Sequence, residues 1–356
     1  MGTPNQPVFM AINLDNPDFI VESKALCDLS CSINTFDQSN SSTYKTLNHN
    51  KSQIKQFNIS ENRFDLVSIS NITAVNQSIG LISSVKNSSD PAEQNVQNLI
   101  SGMIGLAYEN AYKNGKENIC LNMKNKGIIS KNMFSMMLIP QYGIDFCNNN
   151  VSLCDDKVRD GGIFIFGGYD INLFPNNTDP ESQIYWMPVI DKIQFPIDAG
   201  ILYQATINGK TVVGGDKFGT FIVPTLITTT SQMVFSVMFA RTLSKLYGGW
   251  VDPIYGYVGH CGEMFPLLFL FPFTLDAKAY TLMDYSHFYT KPIPNDNTTC
   301  FAGFSDMNMT KTSYWVLGSP FFASLYDDNY HGLVGLYTIF DHDNDRIGFV
   351  RGRVKT

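Results

Sequence analysis

The sequence predicts an all-β protein, and three observations carry that expectation. Phe (26) and Tyr (17) are plentiful while charged residues make up only 16% of the 356-residue chain, a composition suited to half-buried pleated surfaces. Apolar runs have strand length: Phe9-Met10-Ala11-Ile12, Leu66-Val67-Ser68-Ile69, Gly162-Ile163-Phe164-Ile165-Phe166, Thr220-Phe221-Ile222-Val223 and Thr338-Ile339-Phe340. Gly, Pro, Asn or Asp clusters separate most of them, the punctuation of sandwiches and barrels.

Helical periodicity is confined to Gln94 to Ser101, Ile119 to Lys126 and Gln232 to Leu246, the last with Val234, Val237, Met238 and Leu246 at roughly helical spacing. Between Ala205-Thr206-Ile207 and Thr211-Val212-Val213, Asn208-Gly209 signals a two-residue hairpin, because both turn positions need positive φ. The most apolar run, Met264 to Leu275, holds Pro266 and Pro272 and falls short of the roughly 20 residues a membrane-spanning helix needs. It reads as a buried strand. Length and the 44% hydrophobic content suggest two domains. Pro175, Asn176, Asn177, Asp179 and Pro180 accumulate between Ile171 and Ile184, so the expected domains are 1–175 and 176–356.

Several function classes are disfavoured. A net charge of −7 without a Lys/Arg cluster argues against nucleic acid. The five His show no metal-ligand spacing. Asp341-His342-Asp343-Asn344-Asp345 imitates the start of a calcium loop, but Arg346 stands where that loop needs Gly and Gly352 where it needs Glu. It reads as the turn of a closing hairpin. No nucleophile elbow, phosphate loop or dinucleotide fingerprint occurs. No cofactor or metal is expected.

Ten pieces of the chain, in order, resemble the pepsin-type aspartic proteases. Met1-Gly2-Thr3-Pro4-Asn5-Gln6 is similar to the segment leading into that family's first catalytic strand. Asn16-Pro17-Asp18-Phe19-Ile20-Val21-Glu22-Ser23 stands where Ser-Ser-Asn-Leu-Trp-Val-Pro-Ser normally follows; Cys27 and Cys31, four apart, come next, and then Ser41-Ser42-Thr43-Tyr44. Gly102-Met103-Ile104-Gly105-Leu106-Ala107-Tyr108 resembles the apolar-apolar-Gly stretch behind the first catalytic loop. Gly127-Ile128-Ile129-Ser130 to Phe134-Ser135 resembles the exit from the first lobe, and Gly167-Gly168-Tyr169-Asp170 and Trp186-Met187-Pro188-Val189 lead into the second. Trp315-Val316-Leu317-Gly318 and Tyr337 to Phe349 resemble the closing strands.

This likeness implies a bilobal pepsin-like double barrel with a few short helices and a final strand returning to a shared sheet. Each lobe of the family offers one Asp from an apolar-apolar-Asp-Thr-Gly loop. Here Asn13 stands in the first loop, and the second is matched to Phe221-Ile222-Val223-Pro224-Thr225, with Pro224 in place of Asp. Asp15 and Leu226 replace the loop glycines. Paired carboxylates about 3 Å apart share one proton and act as base and acid; Asn and Pro do neither. Asp15 would need a two-residue shift to serve and reads as a turn residue in Asp-Asn-Pro. The flap is about four residues short, leaving Phe57 as a candidate for the cleft and equally for the core. Between Gly318 and Tyr337 lie about ten extra residues, expected as an exposed loop.

The resemblance also pairs Cys27 with Cys31 and Cys261 with Cys300. Cys147 and Cys154 flank Asn148-Asn149-Asn150 as a candidate third pair, leaving Cys120 as a buried thiol. Sequons occur at Asn40, Asn58, Asn71, Asn76, Asn87, Asn150, Asn176, Asn297 and Asn308. With the cysteine spacings they favour a secretory, lysosomal or vacuolar route. Met1 falls where the likeness places a strand interior, so a signal, a propeptide and a first strand are expected upstream, with the edge at Val8 to Leu14 left open. The leading expectation is a non-catalytic, secreted or lumenal protein whose cleft or loops engage a polypeptide or glycoprotein. The alternatives are an active aspartic endopeptidase and an inhibitor of another hydrolase.

Overall fold

The computed structural model describes residues 1–27, 34–46, 52–54, 57–85, 100–109, 117–138, 162–174, 179–192, 195–203, 205–207, 210–213, 221–228, 233–246, 248–261, 267–271, 280–284, 289–310, 315–322, 325–328 and 332–353. They form two compact units, Met1–Asn132 with Lys192–Gln194, and Met133–Asp191 with Phe195–Thr356.

The first unit holds β1 (Met10–Asn13), β2 (Phe19–Glu22), β3 (Lys45–Thr46), β4 (Ser52–Ile54), β5 (Phe57–Ile69), β6 (Ile72–Val85) and β7 (Gly102–Gly105). They make one sheet in the order β1-β7-β2-β6-β5-β3, with β4 paired to β5. β1 runs parallel to β7, β7 antiparallel to β2, and β2 parallel to β6. Phe19, Ile20 and Val21 are at most 2% exposed, because every residue of β2 faces packed neighbours. The expected helix at Ile119 to Lys126 is α1 (Ile119–Asn125): the Asn118 side chain accepts from the Leu121 N–H and caps its start. The Gln94 to Ser101 candidate lies mostly outside the described residues.

The second unit contains β8 (Met133–Leu138), β9 (Gly162–Phe166), β10 (Tyr185–Pro188), β11 (Pro196–Tyr203), β12 (Ala205–Ile207), β13 (Lys210–Val213), β14 (Phe221–Ile227) and β15 (Met233–Phe235). After α2 (Val237–Leu246) come β16 (Trp250–Asp252), β17 (Gly256–His260), β18 (Leu267–Phe271), β19 (Tyr280–Asp284), β20 (Tyr289–Ile293), β21 (Asp296–Ala302) and β22 (Phe304–Asp306). Then follow α3 (Met307–Thr310), β23 (Trp315–Leu317), α4 (Ser319–Phe322), β24 (Leu325–Asp328), β25 (Gly332–Asp341) and β26 (Arg346–Arg353). The fold is the expected mixture: mostly strands, several sheets and few helices.

One sheet of this unit runs β10-β26-β25-β8-β9, with β24 paired to β25, and so joins strands from both sides of residue 175. Its packed cluster includes Met133, Met137, Phe174, Tyr337, Ile339 and Val350. Another runs β19-β18-β11-β14-β23-β15-β22, backed by Phe239 stacked on Trp315 with ring centroids 5.3 Å apart.

One local expectation holds and two are corrected. The helix at Gln232 to Leu246 begins at Val237, since Met233–Phe235 is claimed by strand pairing to Phe304–Asp306. Ala205–Ile207 and Lys210–Val213 pair antiparallel as the hairpin signal requires, Asn208 and Gly209 lying outside the described residues. The extra residues after Gly318 are not a plain loop: α4 and β24 occupy them, and Leu325–Asp328 pairs with Gly332–Gly335, extending the β25 edge. The Asp341 to Arg346 turn closes the β25–β26 hairpin, Asp341 accepting from Asn344 and Arg346 at 2.8 Å each.

Candidate active site

Asn13 is the last residue of β1 and lies opposite Gly105 in the parallel ladder to β7. Its side-chain oxygen accepts the Asp15 N–H at 2.8 Å, and its amide nitrogen donates to the Met103 sulfur at 3.6 Å. Three residues on, the Asn16 side chain accepts the Asp18 N–H at 2.8 Å. Two successive Asx turns therefore shape Leu14 to Asp18, with Pro17 between them, in place of a glycine turn. The loop is clamped from behind: Leu106 donates to the Asn13 carbonyl at 2.9 Å, Gly105 to that of Asp18 at 3.0 Å and Ala107 to that of Asn16 at 3.3 Å. A β-carbon on Gly105 would run into the Asn16 and Asp18 carbonyls, and one on Gly102 into that of Ile20. The Gly102-Met103-Ile104-Gly105 spacing thus follows from the close approach of loop and strand.

Pro224 lies inside β14, opposite Asp198 of the antiparallel β11. It precedes by one residue the start of the parallel pairing with β23, which runs Thr225 to Trp315, Leu226 to Val316 and Ile227 to Leu317. A missing N–H is tolerated where the ladder on one side has not begun. Thr228, 1% exposed, follows at the strand end and donates its N–H to the Leu317 carbonyl at 3.2 Å. Sequence reasoning passed over this residue. Leu226-Ile227-Thr228-Thr229 is a second apolar-apolar-x-Thr frame, four positions beyond the first, and only pairing distinguishes the two.

The flap candidate is short. β4 pairs with the start of β5, Ile54 opposite Phe57, so two residues connect them. Lys55 and Gln56 lie outside the described residues, and Phe57 is located by its backbone.

Among the described residues, the buried aspartates are committed to the scaffold. Asp65 accepts from Ser41 at 2.8 Å and Thr43 at 2.5 Å. Asp306 accepts from the Tyr257 hydroxyl at 2.9 Å and from the N–H groups of Asn308 and Met309. Burial, then that hydrogen bond, pushes the Tyr257 phenol up to about 12. Asp341 holds the β25–β26 turn. No group of three or more His, Cys, Asp or Glu suited to a metal occurs among the described residues, and none of their helices is long and apolar enough to cross a membrane.

Cys261 and Cys300 form a disulfide with Cα atoms 5.0 Å apart. Cys27 is disulfide-bonded, while Cys31, Cys147 and Cys154 lie outside the described residues. Cys120 is a buried thiol on α1. The sequon asparagines Asn40, Asn71, Asn76, Asn297 and Asn308 are exposed. Asn87, Asn150 and Asn176 fall outside the described residues and the Asn58 side chain is not described; Asn50-Lys51-Ser52 is a further sequon the sequence reading missed.

A strand ending on an apolar-apolar-x loop, backed by an apolar-apolar-Gly strand, defines the aspartic protease class of scaffold. The chain belongs to the eukaryotic aspartyl protease family, whose sequence profile matches residues 1–351. It is similar to gastricsin of Macaca fuscata fuscata, 23% identical over 98% of this chain and 81% of the relative. Pepsin-3 of Oryctolagus cuniculus and gastricsin of Rattus norvegicus are each 24% identical, over 98% of this chain and 78% of their own.

Proposed function

We propose that this pepsin-like chain does not hydrolyse peptides and acts by binding. The observation that carries the reading is the chemistry of Asn13. Its amide is already spent on the Asp15 N–H and the Met103 sulfur, and an amide does not take a proton from water near neutral pH. Pro224, matched by sequence to the second position, has no ionisable group either. Structural hydrogen bonds to the buried aspartates give further support, since none of these is left as an evident substitute acid.

The role proposed is that of a secreted or lumenal glycoprotein, of lobes 1–175 and 176–356, whose cleft or loops engage a polypeptide or glycoprotein. Exposed sequons, a formed disulfide and family membership support the route. The competing reading is an aspartic endopeptidase, favoured by similarity to gastricsins and pepsins over 98% of this chain. A third is an inhibitor occupying the cleft of another hydrolase. Prolonged incubation with a denatured protein between about pH 3 and 6, within the range where the chain stays folded, separates the first two. No cleavage is expected. Efficient cleavage that a transition-state analogue of aspartic proteases stops would overturn the proposal.

A further inference from the structure

We infer that Thr228, not Pro224, holds in the second unit the place that Asn13 holds in the first. The inference refines the proposed absence of catalysis and rests on that reading for its functional meaning, while its geometry stands alone.

Both units contain the same four-strand arrangement. β1-β7-β2-β6 in the first and β14-β23-β15-β22 in the second are hydrogen-bonded in that order, and the successive pairings are parallel, antiparallel and parallel in both. Each has a pivot residue in its second strand that faces partners on both sides. Met103 lies opposite Ala11 and Ile20, and Val316 lies opposite Leu226 and Val234. Two residues beyond each pivot stands a glycine, Gly105 or Gly318. Two residues beyond Ala11 is Asn13, and two beyond Leu226 is Thr228. Pro224, two residues before Leu226, instead takes the place of Phe9.

The register is not free to slip by four positions. Moving Pro224 into Asn13's place would set Ile222 opposite Val316 and break the ladder from Thr225 to Ile227. The sequence agrees once the frame is moved: Leu226-Ile227-Thr228-Thr229-Thr230 keeps the two apolar residues and the Thr after the acid position, and replaces the acid and the glycine by Thr. A threonine hydroxyl donates and accepts hydrogen bonds but does not ionise in the working range of a carboxylate. The second acid is therefore absent at the corrected position too, and any attempt to rebuild the dyad must be made there.

The test reads the register inside the second unit by cross-linking and leaves the buried Thr228 unaltered. Leu226→Cys/Val316→Cys is expected to oxidise to a cross-link, directly opposed strand residues lying within disulfide reach, and Ile222→Cys/Val316→Cys is not. The reverse result, or cross-linking in neither pair, refutes the assignment. Cleavage of a denatured protein by the unaltered chain, blocked by a transition-state analogue of aspartic proteases, instead refutes the absence of catalysis and leaves the register standing.

Discussion

Gly105 is the residue on which the Leu14 to Asp18 loop rests, and it has no room for a side chain. Gly105→Ala is expected to cost about 1–3 kcal/mol or more, seen as a lower denaturant midpoint, because the colliding atoms are backbone carbonyls that cannot rotate away. Asn13 separates shape from chemistry. Asn13→Ala loses the acceptor for the Asp15 N–H and should cost about 1 kcal/mol, whereas Asn13→Asp keeps an acceptor and the fold. Neither should produce peptide hydrolysis, which a peptide-release assay checks. His342 is the residue through which acid acts. It packs between Phe134 and Phe195, ring centroids 5.7 and 5.3 Å away. Burial lowers its pKa to about 4 from the ordinary 6.5, the negative charges of Asp341, Asp343 and Asp345 opposing the shift only in part. The unfolded chain binds this proton first, so the contribution is full above about pH 6.5, is lost as pH falls towards 4, and changes little below that. The loss is on the order of 3 kcal/mol. Denaturant titrations at several pH values should show this slope, and His342→Gln should flatten it.

Among elements, the Cys261–Cys300 bridge ties the end of β17 to β21 across 39 residues. A loop of that length corresponds to about 4 kcal/mol of lost unfolded-state entropy, so Cys261→Ser/Cys300→Ser should lower the melting temperature markedly, as calorimetry would record. Strands and turns like these were legible in the sequence because their signals are local. The Gly162 to Phe166 run became β9, Ile119 to Lys126 became α1, and Asp341 to Arg346 became the closing turn. What stayed hidden was decided by pairing between distant segments. Nothing local tells Val223-Pro224-Thr225 from Ile227-Thr228-Thr229; Trp315-Val316-Leu317, some ninety positions on, makes the distinction. The β24 hairpin was missed for the same reason, since Tyr326-Asp327-Asp328 is polar enough to read as loop until Gly332-Leu333-Val334 offers it an edge. Of the candidate site, the non-acidic Asn13 was visible at once, but its work as a turn acceptor depends on a bend that composition does not announce.

At the scale of the whole molecule, β26 bridges β10 and β25, and β25 in turn pairs with β8. A chain ending at Asp341 lacks the central strand between β10 and β25. It is expected to lose cooperative unfolding of the second unit and to expose apolar surface, measured by dye binding and light scattering. Phe134 lies opposite Phe340 in the same sheet, with 205 residues between them. Such pairings make folding slow, because a very long loop must close before any contact rewards it. On the ribosome β8 and β9 are made about 166 residues before β25 begins, so their shared edge waits for its partner strand over that stretch of synthesis. An unpaired β8 edge is a template for wrong pairing during that interval, and the synthesis of Gly332–Asp341 is what removes it.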